Sequence, residues 1–309
     1  MSRAVVFAYH DVGVRCLSVL LAHGVDVALV VTHEDNPAET IWFESVARLA
    51  HLHGLAVAAP EDANDGDFVR RVAGLAPDFL FSFYYRSMLR PQLLELVAGR
   101  AYNMHGSLLP QYRGRVPVNW ALVNGERHTG ATLHEMVEKP DAGRIVDQMA
   151  VPILPNDVAV DVFRKVTTAA EIVLDRCLPA LLDGTAVLKP QNLALGRYYG
   201  ARRPADGRID LTQGAWPVHN LVRAVAPPYP GAFTTIGTRR LDILRTFYTG
   251  ERDVVGKTPA LQARNGALVL RCADGGVLRV LEARLDGVAL TSDNFHRVTG
   301  TERLSLIPA

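Results

Sequence analysis

Asn103 and His105 stand two apart in residues 102–120, Tyr-Asn-Met-His-Gly-Ser-Leu-Leu-Pro-Gln-Tyr-Arg-Gly-Arg-Val-Pro-Val-Asn-Trp. On a strand, residues two apart share a face. An amide and an imidazole would then point at one place, where the strand ends. That pair suits acyl transfer. The amide can stabilise an oxyanion. Asp141 is the candidate third member, because a turn over 140–143 can carry it back over the strand end. A carboxylate facing an imidazole orients it. The same residues admit a plainer reading: an Asn capping a turn, a His satisfied by a carbonyl, an Asp serving the turn itself. Spacing alone leaves both open.

The elements needed to hold such a cluster surround it. Residues 4–9, 25–32, 55–58 and 78–83 read as strands, mostly apolar runs without alternation, as a sheet buried on both faces requires. Helices are expected at 14–23, 40–53, 67–75 and 91–98, the last with Pro91 in its first turn. Strands alternating with helices at this spacing mean an α/β domain with a Rossmann-like, mostly parallel sheet. Such sheets keep their sites in loops at the strand ends. The first βα turn holds only Gly13 and lacks Gly-x-Gly-x-x-Gly, so no NAD site is expected. Residues 129–137 and 144–152 read as a hairpin-like pair at the sheet edge. A long helix follows to about residue 182, with Asp157 as its expected N-cap. This catalytic domain is placed at 1–190. Residues 191–207, with Gly196, Gly200, Pro204 and Gly207, read as a linker. Residues 208–309 hold short strands between turns and read as a small OB-like β-barrel.

Composition narrows the function classes. The 309 residues carry 33 Lys+Arg against 32 Asp+Glu, a formal net charge of +1. That gives no long-range pull toward nucleic acid or an anionic membrane. Cys16, Cys177 and Cys272 are far apart and form no Cys-x-x-Cys or Cys/His cluster. No metal is expected, and reduced thiols fit a cytoplasmic protein. His10, His23, His33, His51, His53, His128, His134, His219 and His296 are scattered without ligand-like spacing. Asp11 reads as a helix cap or a ligand contact, and Tyr84-Tyr85-Arg86 as a ligand edge or aromatic packing. No run approaches ~18 apolar residues, so no membrane span is expected.

The fuller motif is more specific. Asn103-x-His105-Gly-Ser-Leu-Leu-Pro110, Tyr112-Arg-Gly114 and Asp141-Ala-Gly143 resemble the folate-dependent formyltransferase family. The resemblance continues through Phe81-Ser-Phe-Tyr-Tyr-Arg86, Tyr198-Tyr-Gly-Ala-Arg-Arg-Pro204 and Arg223-Ala-Val-Ala-Pro-Pro-Tyr-Pro-Gly-Ala232. Within the family, Val5-Val-Phe-Ala-Tyr-His-Asp11, Thr32-His-Glu-Asp-Asn-Pro37 and His105-Gly-Ser107 are most similar to the branch that formylates UDP-4-amino-4-deoxy-L-arabinose for lipid A modification. The resemblance implies 10-formyltetrahydrofolate as formyl donor and a nucleotide-sugar amine as acceptor. It implies that Asn103 holds the oxyanion, His105 moves the proton and Asp141 orients His105. It also implies a folate pocket lined by Arg86, Ser87, Met88, Leu89, Arg115, Val137, Glu138, Lys139, Pro140 and Asp141. The sequence departs from close relatives at Ser87 and Met88, which would contribute mainly backbone.

Charge bears on the acceptor. A tRNA acceptor needs basic surface to meet phosphates. Residues 33–47 hold Glu34, Asp35, Glu39 and Glu44 and no Lys or Arg. By the resemblance, methionyl-tRNA formyltransferases carry a basic insertion there and usually Ala at position 106. A nucleotide-linked amino sugar is therefore expected, with UDP-4-amino-4-deoxy-L-arabinose foremost. Methionyl-tRNA and dTDP-linked amino sugars are the alternatives.

Overall fold

The computed structural model describes residues 2–37, 39–253 and 258–306. In chain order, the first part comprises β1 (Arg3–Ala8), α1 (His10–Ala22), β2 (Asp26–Val31), α2 (Val46–Leu52), β3 (Val57–Ala58), α3 (Gly66–Gly74), β4 (Phe79–Phe83), α4 (Pro91–Leu94) and β5 (Ala101–His105). It continues with β6 (Arg113–Gly114), α5 (Pro117–Val123), β7 (His128–Glu135), β8 (Ile145–Pro152), α6 (Ala159–Leu182) and β9 (Tyr198–Tyr199). The main sheet has the order β3-β2-β1-β4-β5-β7-β8. Pairing is parallel from β3 to β5 and turns antiparallel where β7 joins β5.

The central strands read as they do because both their faces are covered. Ala4 through Ala8 are wholly buried, and so are Leu80, Phe81 and Phe83. Phe79, Phe81 and Phe83 stack along one face of β4, and Tyr102 of β5 leans on the first two. Chain order reverses between β1 and β4, so the carboxyl ends of these strands open the crevice where such sheets place ligands.

Two local expectations change. The helix expected at 40–53 forms only over Val46–Leu52, because Ser45 caps it by accepting from the Arg48 N–H at 3.2 Å. Phe43 stacks on the His10 ring at 3.8 Å and Trp42 meets it edge-on, which holds the preceding residues out of helical geometry. Asp157 does not open α6 directly. Its carboxylate accepts from the Leu154 N–H at 2.6 Å, and Asp161 accepts from the Val158 N–H.

By contact density the chain divides into two compact units, residues 1–117, 129–151 and 163–200 in one, and 118–128, 152–162 and 201–309 in the other. The stretch 191–200 is partly structured, since β9 pairs with β6 in parallel.

The second unit contains α7 (Ala215–Ala224), β10 (Ala232–Ile236), β11 (Arg239–Arg252), β12 (Ala260–Arg264), β13 (Ala267–Arg271), β14 (Gly276–Leu285), β15 (Val288–Ala289), α8 (Phe295–Thr299) and β16 (Arg303–Ser305). Its strands form an antiparallel sheet ordered β10-β11-β14-β13-β12-β16. Register shifts between β11 and β14 mark bulges, which bend and twist a sheet. The result is a curled half-barrel with α7 packed on β11 and β14. Its core includes Ile243, Leu261, Leu278 and Phe295.

Candidate functional site

The site forms where β5 ends, and register builds it. Asn103 of β5 lies opposite His134 of β7, and His105 lies opposite Thr132. Asn103 is half-buried, whereas His105 and His134 are buried. The chain then leaves the strand through Gly106. A Cβ there would run into the Tyr84 hydroxyl, so any larger residue requires that ring to shift. Thr132 ties down the next residues, accepting from the Leu109 N–H at 3.2 Å and donating to the Ser107 carbonyl at 2.6 Å. Gln148 adds donations to the Leu109 carbonyl and to Thr132 Oγ1.

Asp141 is the third expected member of the site. It sits in the turn between β7 and β8 in a left-handed conformation, φ 51°. Its Oδ1 lies 3.6 Å from His105 Nδ1 and 3.5 Å from His134 Nε2. Its Oδ2 accepts from the Gly114 N–H at 2.7 Å. Burial works to raise this carboxyl. His105, His134 and the Gly114 N–H outweigh burial and hold it well below the usual carboxylate range. Asp141 therefore stays ionised between two imidazoles. His105 Nε2 lies 2.8 Å from the Tyr112 carbonyl, which only accepts, so Nε2 carries a hydrogen and Nδ1 is left facing Asp141.

Two residues of this site escape sequence reasoning. His134 looks isolated in the sequence, yet its Nε2 lies 3.1 Å from Asn103 Nδ2. The signal was the strand period: His134 and Thr132 share one face of β7, the sheet face that also carries Asn103 and His105. Gln191 lies far from any motif, but its amide donates to the Asp141 carbonyl at 3.0 Å and to the Gly143 carbonyl at 2.6 Å. It holds the turn that presents Asp141. Nothing in the local sequence announces that role.

The residues expected to line a donor pocket have diverse placements. The Arg86 guanidinium is engaged, bidentate to Glu39 at 2.9 and 2.8 Å and 4.7 Å over the Tyr9 ring. Its backbone N–H donates to His33 Nε2. Ser87 and Met88 are exposed, and the Met88 carbonyl accepts from Asn64. The Leu89 side chain packs into the core of its unit. Arg115 is exposed, and its N–H donates to the Tyr199 carbonyl at 2.9 Å. Val137, Glu138 and Lys139 are exposed, with Pro140 half-buried before Asp141. Met88 and Val137 are apolar side chains left exposed. Asp11 resolves toward structure: its carboxylate accepts from the Glu44 N–H at 2.7 Å.

The acidic stretch 33–47 is spent on packing. Asp35 accepts from the Tyr9 hydroxyl at 2.6 Å, Glu39 holds Arg86, and Glu44 pairs with Arg48. Among the described residues, no group of three His, Cys, Asp or Glu is placed to hold a metal ion, and no helix is long and apolar enough to cross a membrane.

The family described as formyl transferase matches residues 16–178, and its C-terminal domain matches residues 202–297. The chain is similar to an N-formyltransferase from Helicobacter canadensis, solved with folinic acid and dTDP-3-aminofucose. That match has a TM-score of 0.73 at 20% identity and covers 91% of this chain and 99% of that one. WlaRD, a sugar 3N-formyltransferase solved with dTDP and 5-N-formyl-THF, matches with a TM-score of 0.73 at 17% identity, covering 91% and 97% of the two chains. A sugar N-formyltransferase from Shewanella matches with a TM-score of 0.62 at 21% identity, covering 77% and 93%.

Proposed function

The chain belongs to the formyl transferase family, and from that premise we propose that it moves a formyl group from 10-formyltetrahydrofolate to the amine of a nucleotide-linked amino sugar. The observation that carries the reading is the convergence of Asn103, His105 and Asp141 at the end of β5. The acceptor's neutral amine attacks the formyl carbon. The carbonyl oxygen takes up negative charge, and the Asn103 amide donates to it. As the carbon–nitrogen bond to the folate breaks, the proton shed by the amine must reach the departing nitrogen. His105 is the station for it. Its Nε2 is spent on the Tyr112 carbonyl, so the mobile proton sits at Nδ1, stabilised by the ionised Asp141. Asp141 is held too acidic to store the proton itself.

Charge supports a small acceptor. The 33–47 stretch offers no cation to an RNA backbone, and three of its carboxylates are committed to neighbouring side chains. Among nucleotide sugars, the similar chains solved with dTDP or a dTDP-amino sugar favour a dTDP-linked acceptor over UDP-4-amino-4-deoxy-L-arabinose. The test is an acceptor panel with 10-formyltetrahydrofolate: dTDP-linked 3- and 4-amino sugars, UDP-4-amino-4-deoxy-L-arabinose and methionyl-tRNA. Formylation of a dTDP-amino sugar is expected. Turnover of the arabinose derivative alone would reverse the choice of nucleotide, and turnover of the tRNA alone would overturn the reading.

A further inference from the structure

The pairing of β5 with β7 places a second imidazole against the oxyanion donor. His134 Nδ1 lies 2.8 Å from the Glu135 carbonyl. A carbonyl only accepts, so Nδ1 carries the ring hydrogen. In the neutral ring Nε2 is then an acceptor. The Asn103 atom 3.1 Å from it must be the amide nitrogen. We propose that His134 is a positioning residue whose tautomer, fixed by the Glu135 carbonyl, sets which end of the Asn103 amide faces the reacting formyl oxygen. The inference rests on the reading of Asn103 as the oxyanion donor.

An amide flips at little cost unless its partners distinguish its two ends. Here they do. One Asn103 N–H is held by His134 Nε2, and the second N–H on the same nitrogen remains to donate. The flipped amide would set Oδ1 against the Nε2 lone pair and turn an acceptor toward the developing negative charge. Asp141 Oδ1 lies 3.5 Å from the same Nε2 and competes for it, because a second ring proton would donate there; in the neutral ring the lone pair serves the nearer Asn103. His134 is buried among β-strand neighbours, so its ring holds one orientation.

The tautomer is directly measurable. In protein labelled with ¹⁵N-histidine, the His134 signals, assigned by their loss in His134→Gln, are expected to show a protonated Nδ1 and a bare Nε2. A proton on Nε2 would overturn the proposal whatever the substrate. Kinetics give an independent arm. His134→Phe is expected to lower kcat about 10–100-fold, as loss of an outer partner does elsewhere, with KM for donor and acceptor nearly unchanged. His134→Gln, whose Oε1 can accept from the amide, is expected to recover much of that loss. Wild-type kcat in His134→Phe, beside an inactive Asn103→Ala, sinks this inference and spares the underlying one. An active Asn103→Ala sinks the underlying reading instead. Should His134→Phe fail to fold, the NMR result decides alone.

Discussion

His105 and His219 are both buried imidazoles with every ring nitrogen placed, yet only one of them belongs to a reactive site. His219 is wholly buried in the second unit. Its Nε2 lies 2.9 Å from the Pro155 carbonyl and its Nδ1 2.7 Å from Thr246 Oγ1. The carbonyl takes the ring hydrogen and the threonine hydroxyl donates to the other nitrogen, so neutral imidazole satisfies the whole arrangement. Burial lowers its pKa to about 4, with the Pro155 bond working against the shift and Arg223 with it. Beside it, the buried Arg223 guanidinium bonds Asn220 and the Leu154 carbonyl and lies over the Trp216 ring. This network holds the 152–162 segment in its unit. His105 also spends Nε2 on a carbonyl, but its other nitrogen faces an ionised carboxylate shared with a second imidazole. Burial is common to both histidines. A charge that rewards a moving proton is found at one. That difference, rather than burial or hydrogen-bond count, marks the place where chemistry can occur.

The largest effects should come from breaking the reactive side of the comparison. Asn103→Ala and His105→Ala are each expected to lower kcat about 100–1,000-fold, the usual cost of an oxyanion donor or its proton partner. Single-turnover assays on folded protein check this, with thermal unfolding as the control. Near-wild-type turnover in either variant would break the contrast. Asp141→Asn keeps the hydrogen-bond geometry toward Gly114 but removes the charge, so it should lose turnover while His134 stays in place.

The architectural side should respond in the opposite currency. His219→Leu is expected to cost about 1–3 kcal/mol of stability, because the Pro155 carbonyl and the Thr246 hydroxyl lose a buried partner. Its kcat per folded molecule should stay near wild type. Denaturant unfolding and kinetics on the same preparation separate the two. Loss of turnover without loss of stability would mean that His219 reaches the reaction after all.

Acid separates the two environments by window. The folded-state pKa of His219 is depressed, so its contribution is fully present above its unfolded value of about 6.5 and is lost as pH falls toward about 4. Asp141 is depressed as well. Its contribution is present above an unfolded value of about 3.9 and is lost only at lower pH, as its folded-state carboxyl takes up a proton. Stability measured from pH 7 to 3 should therefore fall first through the His219 window, and that early fall should shrink in His219→Leu. The later fall should shrink in Asp141→Asn.

The sequence revealed the sheet, the strand-end pair and the distant aspartate because each leaves a local trace. Apolar runs mark buried strands, a two-residue spacing marks a shared face, and a Pro-Asp-Ala-Gly turn marks the return of Asp141. What stayed hidden depends on partners far away in the chain. Asn103 meets His134 only through antiparallel register, and Gln191 reaches the Asp141 turn from a stretch that reads as linker. The helix expected from residue 40 failed for the same reason. Trp42 and Phe43 had suitable periodicity, but His10, in a left-handed conformation after β1, offered them a better packing partner. Tertiary contact overrides local preference at such places.

Gly106 offers the smallest and sharpest test, because it separates a steric demand from a chemical one within the site itself. In the sequence, glycine here points toward one acceptor class. In the structure, it also answers to Tyr84, whose hydroxyl would clash with a Cβ and whose ring carbon stands 3.0 Å from where a Cβ would be. Gly106→Ala should therefore cost about 1–3 kcal/mol by overpacking. Tyr84→Phe removes the closer atom, so the alanine should cost less in that background, with a coupling of about 1 kcal/mol between the two positions. A double-mutant cycle in denaturant measures it. If the coupling is found and the acceptor profile of Gly106→Ala is unchanged, position 106 is set by its aromatic neighbour and says little about the acceptor. If the two substitutions add without coupling while the acceptor profile shifts, the glycine serves specificity directly, and the reactive region extends further along the loop than Asn103, His105 and Asp141 alone.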